Sequence, residues 1–529
     1  MTSTPAPIRR AGILMPLFSI PSSESWGIGE IYDVLPMVSW LERAGMRLLQ
    51  LLPINAMAPA ETSPYSAESA MALSPQFIAV HAVEDVVAIG GEQALTDDAR
   101  RTLDVVRSSA TVRYREVRAL KDGVLRRAFA HFRDRHWRTG SARARSLRRF
   151  LDEERWWLED YALFRALHAA YEERTWLDWP EPLARRDPAA LEHARAEHRD
   201  EILYVAWLQW IAAGQWADVR RRAGTMELFG DLPFMVGVDS ADVWTRQDAF
   251  RLDVSVGVPP DAFSETGQDW GLPLCRWDVF QERNFDWLHE RARRNAALFD
   301  GYRIDHLVGF YRTYFRPKDG SAPAFSPAEE PEQIALGEQV LAVFREAGAE
   351  IVAEDLGIVP DFVRASLTRL GIPGYRVMRW ERAWREPGEP FVDPVTYPPV
   401  SVATSGTHDT EPLATWWADA PADDRMAVLQ IPTVGAHFAG EDLQAIVGGP
   451  CTDRVRDALI ETLVASGSDL LILPIQDVFG WTDRINEPAT VSDANWTWRL
   501  PYPVDDLDAE PLAIARANIL RLWTKRYGR

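Results

Sequence analysis

The stretch GYRIDHLVGF, residues 301–310, places three chemically active side chains, Arg303, Asp305 and His306, inside an apolar segment. A strand that only builds a hydrophobic core has Val or Ile at such positions, because a buried carboxylate without a partner is costly. On a strand, Arg303 and Asp305 point to the same side, since side chains alternate with a period of two. Taken alone, the pair also fits a solvated ion pair on an exposed strand, which contributes little to stability.

Other apolar runs carry acidic and polar side chains at the same place, where the run ends. These side chains are Asp231 in FGDLPF, Glu354 and Asp355 in VAEDLG, His408 and Asp409 in SGTHDT, and Gln476 and Asp477 in PIQDVFG. Acidic residues scattered over a protein surface would not be expected to recur at the same position, the end, of several separate strands. Several carboxylates beside an arginine match glycoside cleavage, in which one ionised carboxylate attacks the anomeric carbon and a protonated one releases the leaving oxygen.

The residue types divide this chemistry between two acids. Asp305 is the predicted nucleophile, because Arg303 on the same strand face would keep its carboxylate ionised. Glu354 is the predicted proton donor, with a pKa raised by like-charge repulsion from Asp305 and Asp409. Retaining chemistry requires the nucleophile and acid carboxyl groups to lie about 5–5.5 Å apart.

The elements that must position these side chains are eight apolar runs, most of them separated by helical stretches such as PDFVRASLTRLG. The runs are continuous rather than alternating, as expected of parallel strands covered on both faces. This pattern predicts an α/β protein, a (β/α)8 TIM barrel formed as one catalytic domain over residues 1–529. The runs are residues 11–18, 46–55, 225–236, 301–310, 350–359, 374–380, 401–410 and 469–480.

A charge-rich block with little strand character, from about residue 93 to 222, interrupts this alternation. Within it, LFRALHAA places apolar residues on one helical face. We predict that residues 93–222 form a helical insertion subdomain between the second and third strands.

Composition limits the partners and the compartment. The net charge of −20, from 58 basic and 78 acidic residues, repels phosphate backbones, so no nucleic-acid partner is expected. No apolar run approaches the roughly 18 residues that cross a bilayer, and the start does not resemble a signal peptide. Two cysteines, Cys275 and Cys451, fit a reducing compartment. We expect a cytoplasmic protein without a membrane partner, and leave the oligomeric state open.

The sequence contains none of the common motifs for binding a metal ion or a nucleotide cofactor. The sequence has no HExxH, no CxxC pair and no other spacing typical of metal ligands, and no convincing calcium ligand set. It also has no GxGxxG between a strand and a helix and no GxxxxGK[ST], so we expect no metal and no cofactor. The 22 tryptophans are mostly packing residues, although such a surplus also fits a carbohydrate-binding cleft.

Motifs along nearly the whole chain resemble the 4-alpha-glucanotransferases, known as amylomaltases or disproportionating enzymes, of the wider alpha-amylase clan. The resemblance implies a barrel with helical insertions that transfers α-1,4-glucan segments between malto-oligosaccharides, with retention, in glycogen and maltose metabolism. The motifs are SESWGIGEIYD, LQLLPIN, SPYSAESAMALSPQFI, WLEDYALFRAL, GDLPFMVGVDSADVW, GVPPDAFSETGQDWGLP, RIDHLVGF, AEDLG, GTHD, LPIQDVFG and NEPATVSDANWTWRL.

The resemblance assigns a role to each matching residue. Asp305 falls on the family nucleophile, Glu354 on the general acid/base, and Asp409 on the third carboxylate, which stabilises the oxocarbenium-like state. The matching substrate-binding residues surround the reacting glucose or belong to a flexible loop over bound glucan. They are Tyr65, Asp231, Arg303 and His408 around the glucose, and Asp261 and Trp270 on the loop.

The chain departs from the family pattern at Ser66, Leu272, Cys275, Thr410 and Glu411, and in a shortened connection after Asp253. These departures leave acceptor choice, donor length, the ratio of transfer to hydrolysis and the formation of cyclic glucans open. One alternative is an α-1,4-glucan hydrolase on the same machinery. Another is a catalytically silent glucan-binding protein, although binding alone would not need all three carboxylates.

Overall fold

The strands form two sheets in the computed structural model, which describes residues 9–260, 267–490 and 492–529. Eight of the described strands close into a parallel barrel in the order β1-β12-β11-β10-β9-β6-β3-β2. Each of the eight predicted runs contains one barrel strand, so the predicted (β/α)8 barrel is confirmed. The strands are β1 (Arg10–Leu14), β2 (Leu48–Gln50), β3 (Glu227–Leu232), β4 (Phe250–Val258), β5 (Gln268–Cys275), β6 (Gly301–Ile304), β7 (Thr313–Pro317), β8 (Ala324–Ser326), β9 (Glu350–Ala353), β10 (Gly374–Val377), β11 (Ser401–Thr404) and β12 (Leu470–Pro474).

Barrel strands β6, β11 and β12 are buried along their whole length. Their unbroken apolar character follows, because helices cover the outer face of such a barrel and side chains fill its interior. In the register, Asp231 lies opposite Arg303, and Arg303 lies opposite Val352. The carboxyl ends of β3, β6 and β9 therefore meet at one edge, which brings their polar residues together.

Helices fill the interval between β2 and β3, where the sequence predicts a helical insertion. A π-helical turn, Arg133–Trp137, continues directly from the end of α4. The description of residues 93–222 as a subdomain stays a prediction. The helices are α1 (Val34–Arg43), before β2, and then α2 (Glu84–Ala88), α3 (Asp97–Ser108), α4 (Tyr114–Phe132), α5 (Ala142–Glu153), α6 (Arg155–Ala170), α7 (Glu181–Ala184), α8 (Pro188–Glu197) and α9 (Arg199–Arg222).

Two buried glutamines on α9 form hydrogen bonds with the backbone of the irregular segment that follows β2. Gln209 accepts a hydrogen bond from the Leu73 N–H at 2.9 Å and donates to the Leu73 carbonyl at 2.8 Å. Gln215 makes the same pair of bonds with Ala79, at 2.8 and 2.9 Å. The side-chain amides thus satisfy backbone groups that would otherwise be buried without partners.

The remaining helices mostly connect or flank the later barrel strands. The segment PDFVRASLTRLG forms α15, which ends at Gly371 in the left-handed region with φ of 68°, as its glycine predicts. Within the described residues, no helix combines the length and apolarity needed to span a membrane. These helices are α10 (Ala241–Thr245), α11 (Trp277–Glu282), α12 (Asp286–Leu298), α13 (Val308–Tyr311), α14 (Glu330–Glu346), α15 (Asp361–Leu370), α16 (Leu413–Asp419), α17 (Ala422–Leu429), α18 (Pro432–Gly435), α19 (Leu443–Val447), α20 (Asp453–Val464), α21 (Ile475–Phe479) and α22 (Pro511–Arg526).

A second, antiparallel sheet, in the order β5-β4-β7-β8, is not hydrogen-bonded to the barrel strands but shares a hydrophobic core with them. The shift in register between β4 and β5 around Val256 makes their hairpin irregular. Trp270, which the resemblance assigns to a flexible loop, lies on strand β5. Asp261, assigned to the same loop, lies outside the described residues.

Candidate active site

Arg303 is the central cation of a buried polar cluster at the carboxyl end of the barrel. Its NH1 group donates to both carboxylate oxygens of Asp231, at 2.9 and 2.7 Å. Its NH2 group lies 2.8 Å from Oδ1 of Asp305, the residue that follows β6. Burial raises the pKa of Asp231 to about 6, although the Arg303 charge acts in the opposite direction. One guanidinium therefore partners two acids, which explains why the end of this strand tolerates Asp305.

Tyr65 and His408 form an aromatic layer beside this cluster. The Tyr65 hydroxyl donates to Oδ2 of Asp231 at 2.7 Å, and Nε2 of His408 lies 3.0 Å from the same hydroxyl. The two rings stack with centroids 5.3 Å apart, and Trp496 lies 5.6 Å from Tyr65 and 5.8 Å from His408. Burial, followed by the charge of Asp231, raises the pKa of Tyr65 well above its ordinary value, so the phenol keeps its proton.

Asp409 is held by neighbours on both of its oxygens. Nε2 of His408 lies 3.2 Å from Oδ2, and the Asn486 side-chain amide donates to Oδ1 at 2.6 Å. Arg484 also donates to the Asp409 backbone carbonyl at 2.8 Å. Burial raises the pKa of Asp409, but His408 and Asn486 outweigh it and lower this pKa to about 2. The carboxylate is thus ionised at neutral pH.

Glu354 follows β9 and accepts hydrogen bonds from two backbone N–H groups. His306 donates to Oε2 at 2.8 Å and Leu356 donates to Oε1 at 3.1 Å. Burial raises the pKa of Glu354 to about 7, and the charge of Asp305 adds to the rise while Arg303 opposes it. The raised pKa agrees with the role predicted for Glu354, but its main cause is burial rather than the expected like-charge repulsion.

His306 connects the predicted nucleophile to the predicted acid. Its backbone lies in the left-handed region with φ of 42°, a strained position for a residue other than glycine. This turn directs its N–H toward Glu354, immediately after Asp305. Trp270 contacts the His306 ring edge-on, with centroids 4.8 Å apart. Strand β5 thereby reaches over the turn that carries Asp305.

Asp355 and Asp477 also follow barrel strands, but their hydrogen bonds hold the backbone and neighbouring loops. Asp355 accepts from the Tyr375 N–H at 2.7 Å. Asp477 accepts from the Ser405 hydroxyl at 2.5 Å and from the Leu413 N–H at 2.6 Å. Their position at the strand ends is thus explained by loop support rather than by chemistry.

Asn486 and Trp496 belong to the site although no residue-level signal in the sequence predicts them. Both lie after the last barrel strand, in a segment without strand periodicity. The motif NEPATVSDANWTWRL contains Trp496, and Asn486 is its first residue. The family resemblance is the signal that points to this segment.

Several of the departures from the family pattern have structural partners. The Thr410 hydroxyl accepts from the Thr407 N–H and donates to the Thr407 carbonyl, both at 3.0 Å, and so closes the turn that carries His408 and Asp409. Glu411 pairs with Arg379 at 2.8 Å. Cys275 is buried with its sulfur 3.5 Å from that of Met235. The structure offers no functional account of Ser66 or Leu272.

The cluster has the parts that glycoside cleavage requires. Asp305 is an acid paired with a cation, Glu354 has a pKa near neutrality, and Asp409 is firmly ionised. Two acids whose surroundings give them different protonation states can act as nucleophile and proton donor in one reaction.

Comparison with known proteins agrees with this chemistry. A family model described as 4-alpha-glucanotransferase matches residues 15–505. The chain is 30% identical over 504 residues to the 4-alpha-glucanotransferase of Chlamydia pneumoniae, covering 94% of this chain and 92% of that protein. It is 32% identical over 510 residues to the 4-alpha-glucanotransferase of Thermus thermophilus, covering 93% of this chain and 95% of that protein.

Solved structures share the architecture. The amylomaltase from Streptococcus agalactiae in complex with acarbose aligns with a TM-score of 0.81 and 26% identity, covering 98% of this chain and 99% of that chain. The amylomaltase from Corynebacterium glutamicum aligns with a TM-score of 0.80 and 22% identity, covering 97% of this chain and 75% of that chain. Because the identity to the Corynebacterium glutamicum structure is below 25%, this similarity supports only a shared fold.

Proposed function

Because the chain belongs to the 4-alpha-glucanotransferase family of glycosyl-transferring enzymes, we propose that Asp305, Glu354 and Asp409 transfer α-1,4-glucan segments between malto-oligosaccharides with retention. One observation carries the proposal. The ion pair between Arg303 and Asp305 adjoins the Glu354 carboxyl group, whose pKa of about 7 suits an acid that must donate and then recover a proton.

In the first step, a carboxylate oxygen of Asp305 attacks the anomeric carbon of the donor glucan. The glycosidic bond breaks while protonated Glu354 donates its proton to the departing sugar oxygen. Asp409, ionised by its contacts with His408 and Asn486, grips sugar hydroxyls and offsets positive charge on the oxocarbenium-like transition state. The product of this step is a glucosyl-enzyme ester on Asp305.

In the second step, Glu354 acts as a base. It removes the proton from a hydroxyl group of the acceptor glucan, whose oxygen attacks the anomeric carbon and releases Asp305. Two inversions at the same carbon give net retention. The cycle ends with Glu354 protonated and Asp305 ionised, as it began.

The remaining residues of the site position the reacting glucose. Asp231, Arg303 and His408 offer a fixed set of hydrogen-bonding groups, and the ring of Tyr65 offers a flat apolar surface on which a sugar face can stack. Trp270 covers bound glucan from the side of strand β5. Such a cover favours transfer over hydrolysis, because it keeps water away from the glucosyl-enzyme.

Incubation with maltotriose tests the proposal. Transfer converts maltotriose into glucose and longer oligosaccharides while the total number of reducing ends stays constant. Chromatography of the products and a reducing-end assay on the same samples measure both quantities. A steady rise in reducing ends would instead identify the alternative, an α-1,4-glucan hydrolase.

We also propose that this reaction takes place in the cytoplasm, on glucans from glycogen or maltose metabolism. Both cysteines, Cys275 and Cys451, are free thiols, as is usual in a reducing compartment. Cell fractionation followed by the maltotriose assay on each fraction tests this location. Activity confined to an extracytoplasmic fraction would contradict it.

A further inference from the structure

A second cluster of ligand-type side chains lies in the helical block between β2 and β3. Asp85, His131 and His136 each present one donor atom, and these three atoms lie within 4.8 Å of one another. Oδ1 of Asp85 is 3.0 Å from Nδ1 of His131 and 4.0 Å from Nε2 of His136. None of the three belongs to the catalytic cluster around Arg303.

The backbone departs from a regular helix where the two histidines converge. An α-helix turns about 100° per residue, so residues five apart point about 140° away from each other. Here α4 gives way after His131 to the π-helical turn that contains His136. The Arg138 N–H donates to the Arg133 carbonyl at 3.0 Å, the five-residue bond of a π-helix. This wider turn brings the imidazoles together, and such turns are frequent at functional sites.

A second layer of contacts orients two of the three ligands, His136 and Asp85. Nδ1 of His136 lies 3.1 Å from the hydroxyl of Ser141, which also accepts from the Ala144 N–H as the N-cap of α5. This contact suits the tautomer in which Nδ1 of His136 donates to Ser141 and Nε2 keeps its lone pair for a metal ion. Arg143 donates to Oδ2 of Asp85 at 2.6 Å, which leaves Oδ1 directed at the two histidines.

We propose that Asp85, His131 and His136 bind a divalent transition-metal ion of the zinc type. Two imidazole nitrogens and one carboxylate oxygen form a usual zinc ligand set, with water in the fourth position. In a tetrahedral site with bonds of about 2.0–2.1 Å, neighbouring ligand atoms lie about 3.3 Å apart. Two of the observed separations are 3.0 and 4.0 Å and none exceeds 4.8 Å, so side-chain rotations can bring the three atoms to this spacing.

The burial of the cluster suits an ion that enters from solvent. The Asp85 side chain is fully buried, whereas those of His131 and His136 are 26% and 27% exposed. Arg143 contributes a positive charge nearby, but its contact is with the carboxylate oxygen that faces away from the histidines. A bound ion would join α2, the end of α4 and the π-helical turn that follows it, and so stabilise this part of the helical block.

Metal analysis of the untagged chain tests the proposal. The protein is stripped with a chelator, incubated with Zn²⁺ and dialysed, and its zinc is then measured by elemental analysis. We expect about one Zn²⁺ per chain for the wild type. The His136→Ala variant should bind at least roughly 100-fold more weakly, whereas His193→Ala, an exposed histidine on α8, should bind like the wild type.

Cobalt binding can be measured on the wild-type protein alone, so this test does not depend on whether a variant folds. Co²⁺ added to the stripped wild-type protein should produce the visible absorption of a four-coordinate nitrogen and oxygen site, and Zn²⁺ should displace it. Ser141→Ala should weaken Zn²⁺ binding roughly 10-fold to 100-fold without removing a ligand. Chelator-treated enzyme should keep its transfer activity, because the catalytic carboxylates need no metal in the proposed reaction.

Two outcomes would overturn the proposal. One is a wild-type protein that retains no more Zn²⁺ than His136→Ala. The other is a Co²⁺ spectrum unchanged from that of the hydrated ion. Either result would identify the cluster as a structural one, in which Arg143 and His131 hold the Asp85 side chain in place.

Discussion

At the residue scale, three carboxyl groups of the same chemical type have three different environments. Asp305 pairs with Arg303 and is 26% exposed. Glu354 is half-buried and accepts hydrogen bonds from two backbone N–H groups, and Asp409 is fixed between His408 and Asn486. These environments, not the residue types, suit the acids to the separate roles proposed for them, because burial favours the neutral form and charge partners favour the ionised form.

The pKa of Glu354 predicts how the rate depends on pH. Its folded-state pKa of about 7 lies above the ordinary 4.5, so the proton that the first step needs is present below pH 7 and lost above it. We expect kcat/KM for maltotriose to fall about tenfold per pH unit above pH 7. Initial rates at low substrate concentration across the pH range measure this alkaline limb.

The Glu354→Gln variant tests whether Glu354 is the group that causes the alkaline limb. Activity on maltotriose should fall by about 10²-fold to 10⁴-fold, because no proton reaches the leaving oxygen. A maltosyl fluoride donor, whose leaving group needs no acid, should still form the glucosyl-enzyme, without the alkaline limb. An alkaline limb that persists in this variant would assign the titration to another group.

Asp305→Asn removes the proposed nucleophile with little change in shape. We expect the transfer rate to fall at least roughly 10³-fold, because the covalent glucosyl-enzyme cannot form. The thermal unfolding midpoint should stay close to that of the wild type. Asp98→Asn, at an acid that is 89% exposed on α3, should retain full activity. Unchanged turnover of maltotriose by Asp305→Asn would reject the assigned role.

At the element scale, the site joins barrel strands to a segment that is not part of the barrel. The strand ends supply Asp231, Arg303, Glu354 and Asp409, whereas the chain after β12 supplies Asn486 and Trp496. The first group is fixed by the closed sheet. The second depends on how the later segment packs across the barrel mouth, so its contribution can be measured separately.

Asn486→Ala tests that contribution. Losing the 2.6 Å bond to Asp409 removes a donor to a charged acceptor, and we expect kcat/KM to fall roughly 10-fold to 100-fold. The acid limb of the pH profile should move upward, because this bond helps to lower the pKa of Asp409. Asn518→Ala, at an exposed position on α22, should change neither quantity. A lower rate with an unmoved acid limb would argue against a positioning role.

Gln215→Leu tests the link between α9 and the chain after β2. The substitution leaves the N–H and carbonyl of Ala79 buried without their partners, and we expect a loss of about 1–3 kcal/mol in the free energy of unfolding. Gln430→Leu, an exposed glutamine at the end of α17, should leave it nearly unchanged. Urea titrations of both variants measure the difference, and equal stability would contradict the link.

The sequence predicts the barrel well. It predicts the second sheet and part of the candidate site less well, for physical reasons. Buried parallel strands require continuous apolar runs, so all eight are visible, and polar residues at their ends point to Asp305 and Glu354. Strand β4 mixes charged and apolar residues, which hides the second sheet. Asn486 acts through a hydrogen bond to a residue 77 positions away, and no local pattern predicts such a contact.

At the scale of the whole molecule, the charge of −20 has little influence on an uncharged substrate. The ion pair between Arg303 and Asp231 is buried, and Asp305 is only 26% exposed, so salt screens these pairs weakly. We expect kcat/KM for maltotriose to change less than about twofold between about 0.05 M and about 0.5 M NaCl. A steep dependence on salt would contradict this expectation and would indicate that solvent-exposed charges control the rate.

The location of Trp270 has a practical consequence for engineering. Its strand belongs to the small antiparallel sheet, whereas the acids that break and remake the bond stand on the barrel. In the proposed function, the residue that covers bound glucan therefore stands on one sheet and the acids on another, although both sheets contribute to one hydrophobic core. Redesign aimed at a different spectrum of product sizes can begin with substitutions at Trp270, which leave the barrel strands and their acids unchanged.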